Sequence, residues 1–376
     1  MSTTQTAPQG KDMAIAGELY MSFELGDKSW KVTVSDGRRG PSRFNVDAGD
    51  TATVARCIGK ARERCKLEPQ AKVHSCYEAG RDGWWLHRWL IGQEVDNIVV
   101  DSSSIEVNRH ARRAKTDRID GDKLLTMLLR HHCGERVWSV VHEPTPEDED
   151  ARRTHRELAQ LTQERTSHMN RIRSLLVLHN LRPRIIGGRE WTAWWERHGR
   201  QVPAELRAEI EREIERLALV KQQVKAMEAG RRQELVDGKQ PLVAQLAQLR
   251  AIGPNGAWVL VKELFGWRRF ANRRELAGCL GLAPTPYASG DSQIEQGISK
   301  GGNKRARTLL VELAWCWLRL QPGSALTEWF NRRFAGGGKR MRRVGIVALA
   351  RRLAIALWRY LEFGEIPAGA LLKPVA

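Results

Sequence analysis

The sequence has no cysteine pair at C-x-x-C spacing; its six cysteines (Cys57, Cys65, Cys76, Cys133, Cys279 and Cys316) are scattered along 376 residues. That argues against a cysteine-built zinc module and against a disulfide framework, and it reads as reduced, mostly buried thiols. No apolar run approaches the roughly 20 residues that span a bilayer. The first residues, MSTTQTAPQGKDMA, lack the apolar core of a signal peptide. The expectation is a cytoplasmic protein with a short disordered lead-in over residues 1–17. Acids are scarce as well: 44 Asp and Glu stand against 62 Lys and Arg, a net charge of +18. So large an excess is unusual for a metabolic enzyme and favours a polyanionic partner, nucleic acid or an acidic membrane surface.

What is present first is an alternation of short strand-like and helix-like patterns. ELYMSFEL and SWKVTVSDG read as strands joined by the turn GDK, and PSRFNVDA as a third. DTATVARCIGKARERCK is helical, with Asp50 or Thr51 as its cap. AKVHSCYEAG is a strand ending near Glu78, RDGWWLHRWLIG a short helix, and VDNIVVDSSS another strand. The basic loop NRHARRAK, with Arg112, Arg113 and Lys115, then leads into a helix from Asp117 or Arg118. Together these make an α/β domain with a mixed sheet over residues 18–143. The ten histidines are dispersed, and the adjacent His131 and His132 point different ways on a helix.

VHEPTPEDEDARR reads as a linker, and a helical region follows to residue 240. Leu206, Ile210, Glu213, Leu217, Val220, Val224 and Met227 recur in steps of four and three, the spacing of a coiled-coil seam. The segment from His155 to Leu181 has Leu158, Leu161, Ile172 and Leu175 at compatible spacing, interrupted by Arg165 and His168. A hairpin within one chain and a seam between two chains both satisfy this pattern. Residues 241–376 read as mostly α-helical. LVAQLAQLRAIGPNGAWVLVKELFG is helix, tight turn and helix, and LAGCLGLAPTPYASGDSQIEQGISKGG is a long loop of the kind that carries function.

Asp117 and Asp120, three apart at a helix start, lie on one face and can share a cation. They also complement the helix dipole with no ligand at all. Glu24 and Glu78 end predicted strands, where open α/β sheets build their sites. Four acids so placed suit Mg²⁺ (or Mn²⁺), and two such ions can assist both the attacking and the leaving oxygen at a phosphate. Ser289 precedes glycine in PYASG, a close-approach position for a nucleophile, although turn chemistry alone also explains a loop serine. Lys300, Asn303, Lys304, Arg305 and Arg307 cluster around a Gly-Gly-Asn turn. Lys339, Arg340, Arg342 and Arg343 follow a triple glycine. Both groups read as phosphate contacts.

KTDRIDGDKL, LAGCLGLAPTPYASG…GISKGGNKRARTLLVELAW and YLEFGEIPAGA, in this order, resemble the DEDD transposases of insertion sequences, the family numbered one-ten, and its pilin-gene invertase relatives. The resemblance implies a RuvC-like, RNase H-fold N-terminal domain, a coiled-coil middle and a C-terminal transposase domain. It implies a metal-binding tetrad at Glu24, Glu78, Asp117 and Asp120, and a serine-linked DNA intermediate at Ser289. It further implies guidance by a bridge RNA, and dimers or tetramers in which one protomer's serine completes another's acidic site. The first acid of the family is usually Asp, so Glu24 reaches about one ångström further; Asp27 and Asp36 are its rivals, and Ser292 is the rival of Ser289. A RuvC-like junction nuclease and a non-catalytic nucleic-acid binder are the alternative readings.

Overall fold

The structure is a computed structural model, and it describes residues 17–105, 117–289 and 292–374. The expected lead-in and the loop bearing Arg112, Arg113 and Lys115 lie outside the described residues, apart from Gly17. The chain divides into two compact units, one ending at Glu143 and the other beginning at Pro144.

The first unit is built on β1 (Leu19–Leu25), β2 (Ser29–Ser35) and β3 (Ser42–Asp47), then α1 (Thr51–Cys65), β4 (Val73–Glu78), α2 (Trp85–Gly92), β5 (Val95–Val100) and α3 (Asp117–His132). The sheet order is β3-β2-β1-β4-β5. The first three strands form an antiparallel meander, and β1, β4 and β5 run parallel. Side-chain alternation explains the layers. Leu19, Met21 and Phe23 of β1, with Val73, Tyr77, Val95 and Val99, meet Val54, Ile58, Leu86 and Leu90 of α1 and α2. The opposite parity, Tyr20, Cys76 and Val100, meets Leu124, Leu125, Leu128 and Leu129 of α3. Each of these buried leucines contributes about 2 kcal/mol. Asp50 caps α1 as its sequence predicts, accepting from Thr53 N at 2.9 Å.

The second unit opens with a difference from the sequence reading. The acidic linker contains a short helix, α4 (Pro146–Ala151). Thr145 caps it, Pro146 occupies its first turn, and Glu147, Asp148 and Glu149 complement its dipole. Helix α5 (Arg153–Val177) follows, then α6 (Arg189–His198) and α7 (Ala204–Val236). Helices α5 and α7 pack within the one chain, with Leu158 and Leu161 against Val220 and Val224, and Ile172 and Leu176 against Ile210 and Leu217. Glu213, the polar member of the seam, is 2 % exposed and meets His168 Nδ1 at 2.6 Å, so the two polar interruptions compensate each other.

The remaining elements are α8 (Pro241–Ala247), α9 (Pro254–Leu260), α10 (Arg273–Cys279), β6 (Pro284–Ser289), β7 (Ser292–Ile298), α11 (Lys304–Leu320), α12 (Ala325–Phe330) and α13 (Lys339–Phe363). Wide π-type turns extend α9 over Val261–Phe265 and α12 over Asn331–Ala335. Leu349, Ala350, Leu353 and Leu357 of α13 form the centre of the core with Leu310, Ala314 and Trp317 of α11. The long loop expected before α11 is a two-stranded antiparallel hairpin. Its prolines escaped a strand reading, yet a two-stranded ribbon has outward edges that need no donor, and the register shifts between Pro284 and Pro286.

Two glycines close the base of that hairpin. Gly302 has φ +68, and a Cβ on it would lie 2.1 Å from the Cys279 carbonyl oxygen. Gly281 has φ +63 and would meet Gly301 O at 2.0 Å. Gly302→Ala is therefore expected to destabilise by about 3 kcal/mol, strain plus a backbone collision. Gly238→Ala, with φ +71 but nothing within 4 Å, should cost only about 1 kcal/mol. Thermal unfolding of the two variants checks this; equal shifts in Tm would refute the close approach.

Candidate functional site

The parallel register of β1 on β4 ends at Phe23↔Tyr77, so the next residues, Glu24 and Glu78, are lateral neighbours at the C-terminal ends of the two strands. Both have the parity of Ser22 and Cys76, the residues that touch α3: Ser22 Oγ donates to Gly121 O at 2.9 Å, and Cys76 Sγ approaches Leu124 O at 3.8 Å. Gly121 matters because a Cβ there would meet Thr33 Oγ1 at 2.8 Å. Its bare backbone lets α3 sit on the sheet, which sets Asp120, the preceding residue, beside the Glu24 end of β1. Asp117 begins the same helix, and its side chain lies outside the described residues. Glu24 and Asp120 are half-buried and Glu78 is exposed. Lys31 of β2 lies directly across from Glu24.

The two rivals of Glu24 are placed elsewhere. Asp27 is exposed in the β1–β2 turn and pairs with Arg81 at 2.7 Å. Asp36 follows β2, which runs antiparallel to β1, so it lies at the opposite edge of the sheet. It accepts there from Arg38 N and Arg39 N at 3.0 and 2.8 Å. Asp122 is tied by a bidentate ion pair to Arg43 of β3. Sequence reasoning missed a cluster at that opposite edge. Among the described residues, one group of three places its potential ligand atoms within 4.8 Å of one another: Glu18, His74 and His132. They could hold a divalent metal. No spacing signal links them, because the fold alone gathers a strand start, a second strand and a helix end.

In the second unit, Ser289 ends β6 and pairs in register with Ser292 across the hairpin; both side chains lie outside the described residues. The basic cluster beyond the hairpin divides. Asn303 caps α11, accepting from Ala306 N at 3.0 Å, and donates Nδ2 to Glu263 Oε2 at 3.0 Å. Arg307 donates Nη1 to Leu280 O at 2.9 Å and Gly301 O at 2.7 Å. Arg305 Nε lies 3.6 Å from Glu263. Lys300 and Lys304 are exposed, as are Lys339, Arg340, Arg342 and Arg343 in the first turns of α13. The positive end of that helix's dipole adds to their charge.

Glu263 is the electrostatic anchor of the unit. It is 2 % exposed as a side chain and receives His155 Nε2 at 2.7 Å and both Arg156 Nε and Nη2 at 2.9 Å. Burial pushes its carboxyl up, but the hydrogen bonds from His155, Arg156 and Asn303 outweigh that and hold it well below the ordinary 4.5. Burial pushes His155 below its ordinary 6.5. The ring stays neutral because its Nδ1 is buried with no hydrogen-bond partner, so a second proton there would be stranded.

The profile of the family described as "Transposase IS116/IS110/IS902 family" matches residues 243–328. The y4rJ protein of Sinorhizobium fredii, which carries a transposase designation, is 40% identical over 95% of both chains. The y4qE protein of the same organism is 28% identical over 82% of this chain and 74% of its own. The transposase for insertion sequence element IS1328 of Yersinia enterocolitica is 30% identical over 36% of this chain and 40% of its own. The chain belongs to the IS110 family of transposases. No helix among the described residues is long and apolar enough to cross a membrane.

Below pH 6.5 an unfolded His155 binds a proton that the folded one refuses, and below pH 4.5 an unfolded Glu263 does the same. Stability should therefore fall as pH drops through 6.5 and more steeply below 4.5. Glu263→Gln, which leaves Arg156 and Asn303 unmatched, should lose about 3 kcal/mol at pH 7 and show a flatter acid limb; Tm against pH reads both. Replacing Arg340, Arg342 and Arg343 together by Ala should weaken binding to all DNA sequences alike. It should also reduce the slope of log affinity on log salt by about 3, as filter binding across a salt series would show.

Proposed function

We propose that this transposase is a site-specific DNA recombinase that cleaves and rejoins strands through a DNA link to Ser289. The observation that carries the reading is the β1–β4 register with α3 laid across it, which sets Glu24, Glu78 and the Asp120 backbone at one edge of the sheet. The 3-2-1-4-5 strand order, with an antiparallel meander running into parallel strands, supports an RNase H-like, RuvC-type domain. The in-chain packing of α5 on α7 supports a coiled-coil middle.

The donor set read for this edge, Glu24, Glu78, Asp117 and Asp120, is all oxygen, which fits Mg²⁺ or Mn²⁺. Such ions, held by Glu24, Glu78, Asp117 and Asp120, would supply positive charge to a phosphate and its departing oxygen. The protein's own groups do the rest. Ser289 Oγ forms the bond to phosphorus while the bond from phosphorus to the neighbouring sugar oxygen breaks. Serine loses its proton, the departing strand gains one as its hydroxyl, and a second hydroxyl attacking the phosphoserine reverses the exchange. Exposed Lys300, Lys304 and the start of α13 hold the phosphate backbone. A bridge RNA encoded beside the gene would supply base reading, which explains how a chain can contact mainly backbone and still choose a site. Dimers or tetramers would join one protomer's serine to another's acids.

The test is strand exchange in cells carrying the native flanking DNA. Ser289→Ala should abolish exchange, and Glu24→Gln should reduce it by about 100-fold or more while DNA binding persists. Glu24→Asp should retain substantial activity, since it restores the family's usual first acid. Cleavage that survives in Ser289→Ala would point instead to a water-using junction nuclease. RNA co-purifying with the full chain, once sequenced, should be a defined transcript from beside the gene rather than bulk cellular RNA.

A further inference from the structure

We propose that Glu18, His74 and His132 form a second metal centre, at the N-terminal edge of the sheet, that takes one zinc-class divalent ion. The three residues come from the position just before β1, from β4 and from the last turn of α3. His74 Nε2 and His132 Nε2 lie 3.1 and 3.2 Å from the same oxygen, Glu18 Oε2. A tetrahedral zinc ion with bonds of about 2.0–2.1 Å holds neighbouring ligand atoms about 3.3 Å apart, so the cluster already has the span of a coordination shell.

The surrounding contacts orient the donors. Asp96 Oδ2 lies 2.9 Å from His74 Nδ1, which places that ring's proton on Nδ1 and leaves the Nε2 lone pair aimed at Glu18. Tyr20 donates its hydroxyl to Glu18 Oε2 at 3.1 Å. The same tyrosine stacks on His74 and meets His132 edge-on, both at 5.4 Å, and the two imidazoles are 4.1 Å apart. The side chains of His74, Glu18 and His132 are 8, 14 and 23 % exposed, sheltered but with an approach from solvent for an ion and a fourth, water ligand. Without a cation, the His74 Nε2 lone pair left by the Asp96 contact would face the Glu18 carboxylate across 3.1 Å. Two imidazoles with one carboxylate suit zinc and its neighbours, whereas Mg²⁺ prefers oxygen. The two ends of α3 thus divide the chemistry, hard acids at its first turn and the nitrogen-rich set at its last. An ion here would fasten the helix that carries Asp117 and Asp120 to both β1 and β4.

Cobalt substitution of the untagged, full-length chain tests the site. After stripping with EDTA and in excess Mg²⁺, Co²⁺ should bind with one equivalent showing the strong visible bands of four-coordination, and Zn²⁺ should displace it. His132→Gln should weaken binding at least tenfold while the neighbouring His131→Gln leaves it unchanged. Asp96→Asn keeps all three ligands and should weaken binding about tenfold by releasing the orientation of His74, which also decides the matter if His132→Gln does not fold by far-UV circular dichroism. Absence of the bands in the parent protein, or affinity unaltered in Asp96→Asn, overturns the proposal. Neither result depends on recombination, so a failure here leaves the serine reading standing.

Discussion

The parallel pairing of β1 with β4, covered on one face by α3, is the constraint on which the first unit depends. Because side chains alternate, a slip of one residue would turn Glu24 and Glu78 away from α3 and take Leu19, Met21 and Phe23 out of the face packed on α1 and α2. Two independent forces hold the register: the apolar parity toward α1 and α2, and the close seating of α3 through Ser22, Gly121 and Cys76. Since α3 runs against the strand direction, its first turn meets the strand ends and its last turn meets the strand starts. One packing decision therefore builds both polar edges, the oxygen-rich one and the histidine-bearing one.

The second unit rests on a different device, a buried charge. Isolated burial of a carboxylate is strongly unfavourable, and it is tolerated at Glu263 because imidazole, guanidinium and amide donors fill its lone pairs. These donors come from α5 and from the cap of α11, so a single carboxylate on the π-type turn ties the helical hairpin to the helix that follows the β6–β7 ribbon. A π-type turn offsets the helix by one residue, and such offsets recur where a side chain must be presented off the regular stripe.

Much of this was legible in the sequence wherever a period was strong. The alternation in YMSFEL and VHSCYE, the Asp50 cap and the four-three steps from Leu206 to Met227 each specify local structure and a buried face. What sequence could not supply was partnership at a distance. The seam from Ile210 to Val224 would pack equally well on a second chain, and only three-dimensional proximity to Leu158 and Ile172 decides it. Glu18, His74 and His132 share no spacing, and Glu263 reads as one more helical acid. PTPYASG hid its strand because prolines are legal only where a strand has an unpaired edge, and that is a property of the neighbours, not of the residue. The strand pattern already favoured Glu24 over its rivals Asp27 and Asp36, and the fold puts Asp27 on a surface ion pair and Asp36 at the far edge.

The same distinction reshapes the basic cluster after the hairpin. By composition, Lys300, Asn303, Lys304, Arg305 and Arg307 are a uniform phosphate-seeking group. In the fold, Arg307 braces two carbonyls at the glycine closure, Asn303 bridges a helix cap to Glu263, and Arg305 adds to the charge balance of that carboxylate. A side chain already holding buried acceptors cannot turn to a phosphate without leaving them unmatched, which costs about as much as the new contact returns. Lys300, Lys304 and the first turns of α13 stay exposed, and at the latter charge and helix dipole point the same way. The positive surplus of the chain is thus not one undivided reserve: Arg307 holds the base of the β6–β7 hairpin in place, while Lys300, Lys304 and the first turns of α13 face solvent.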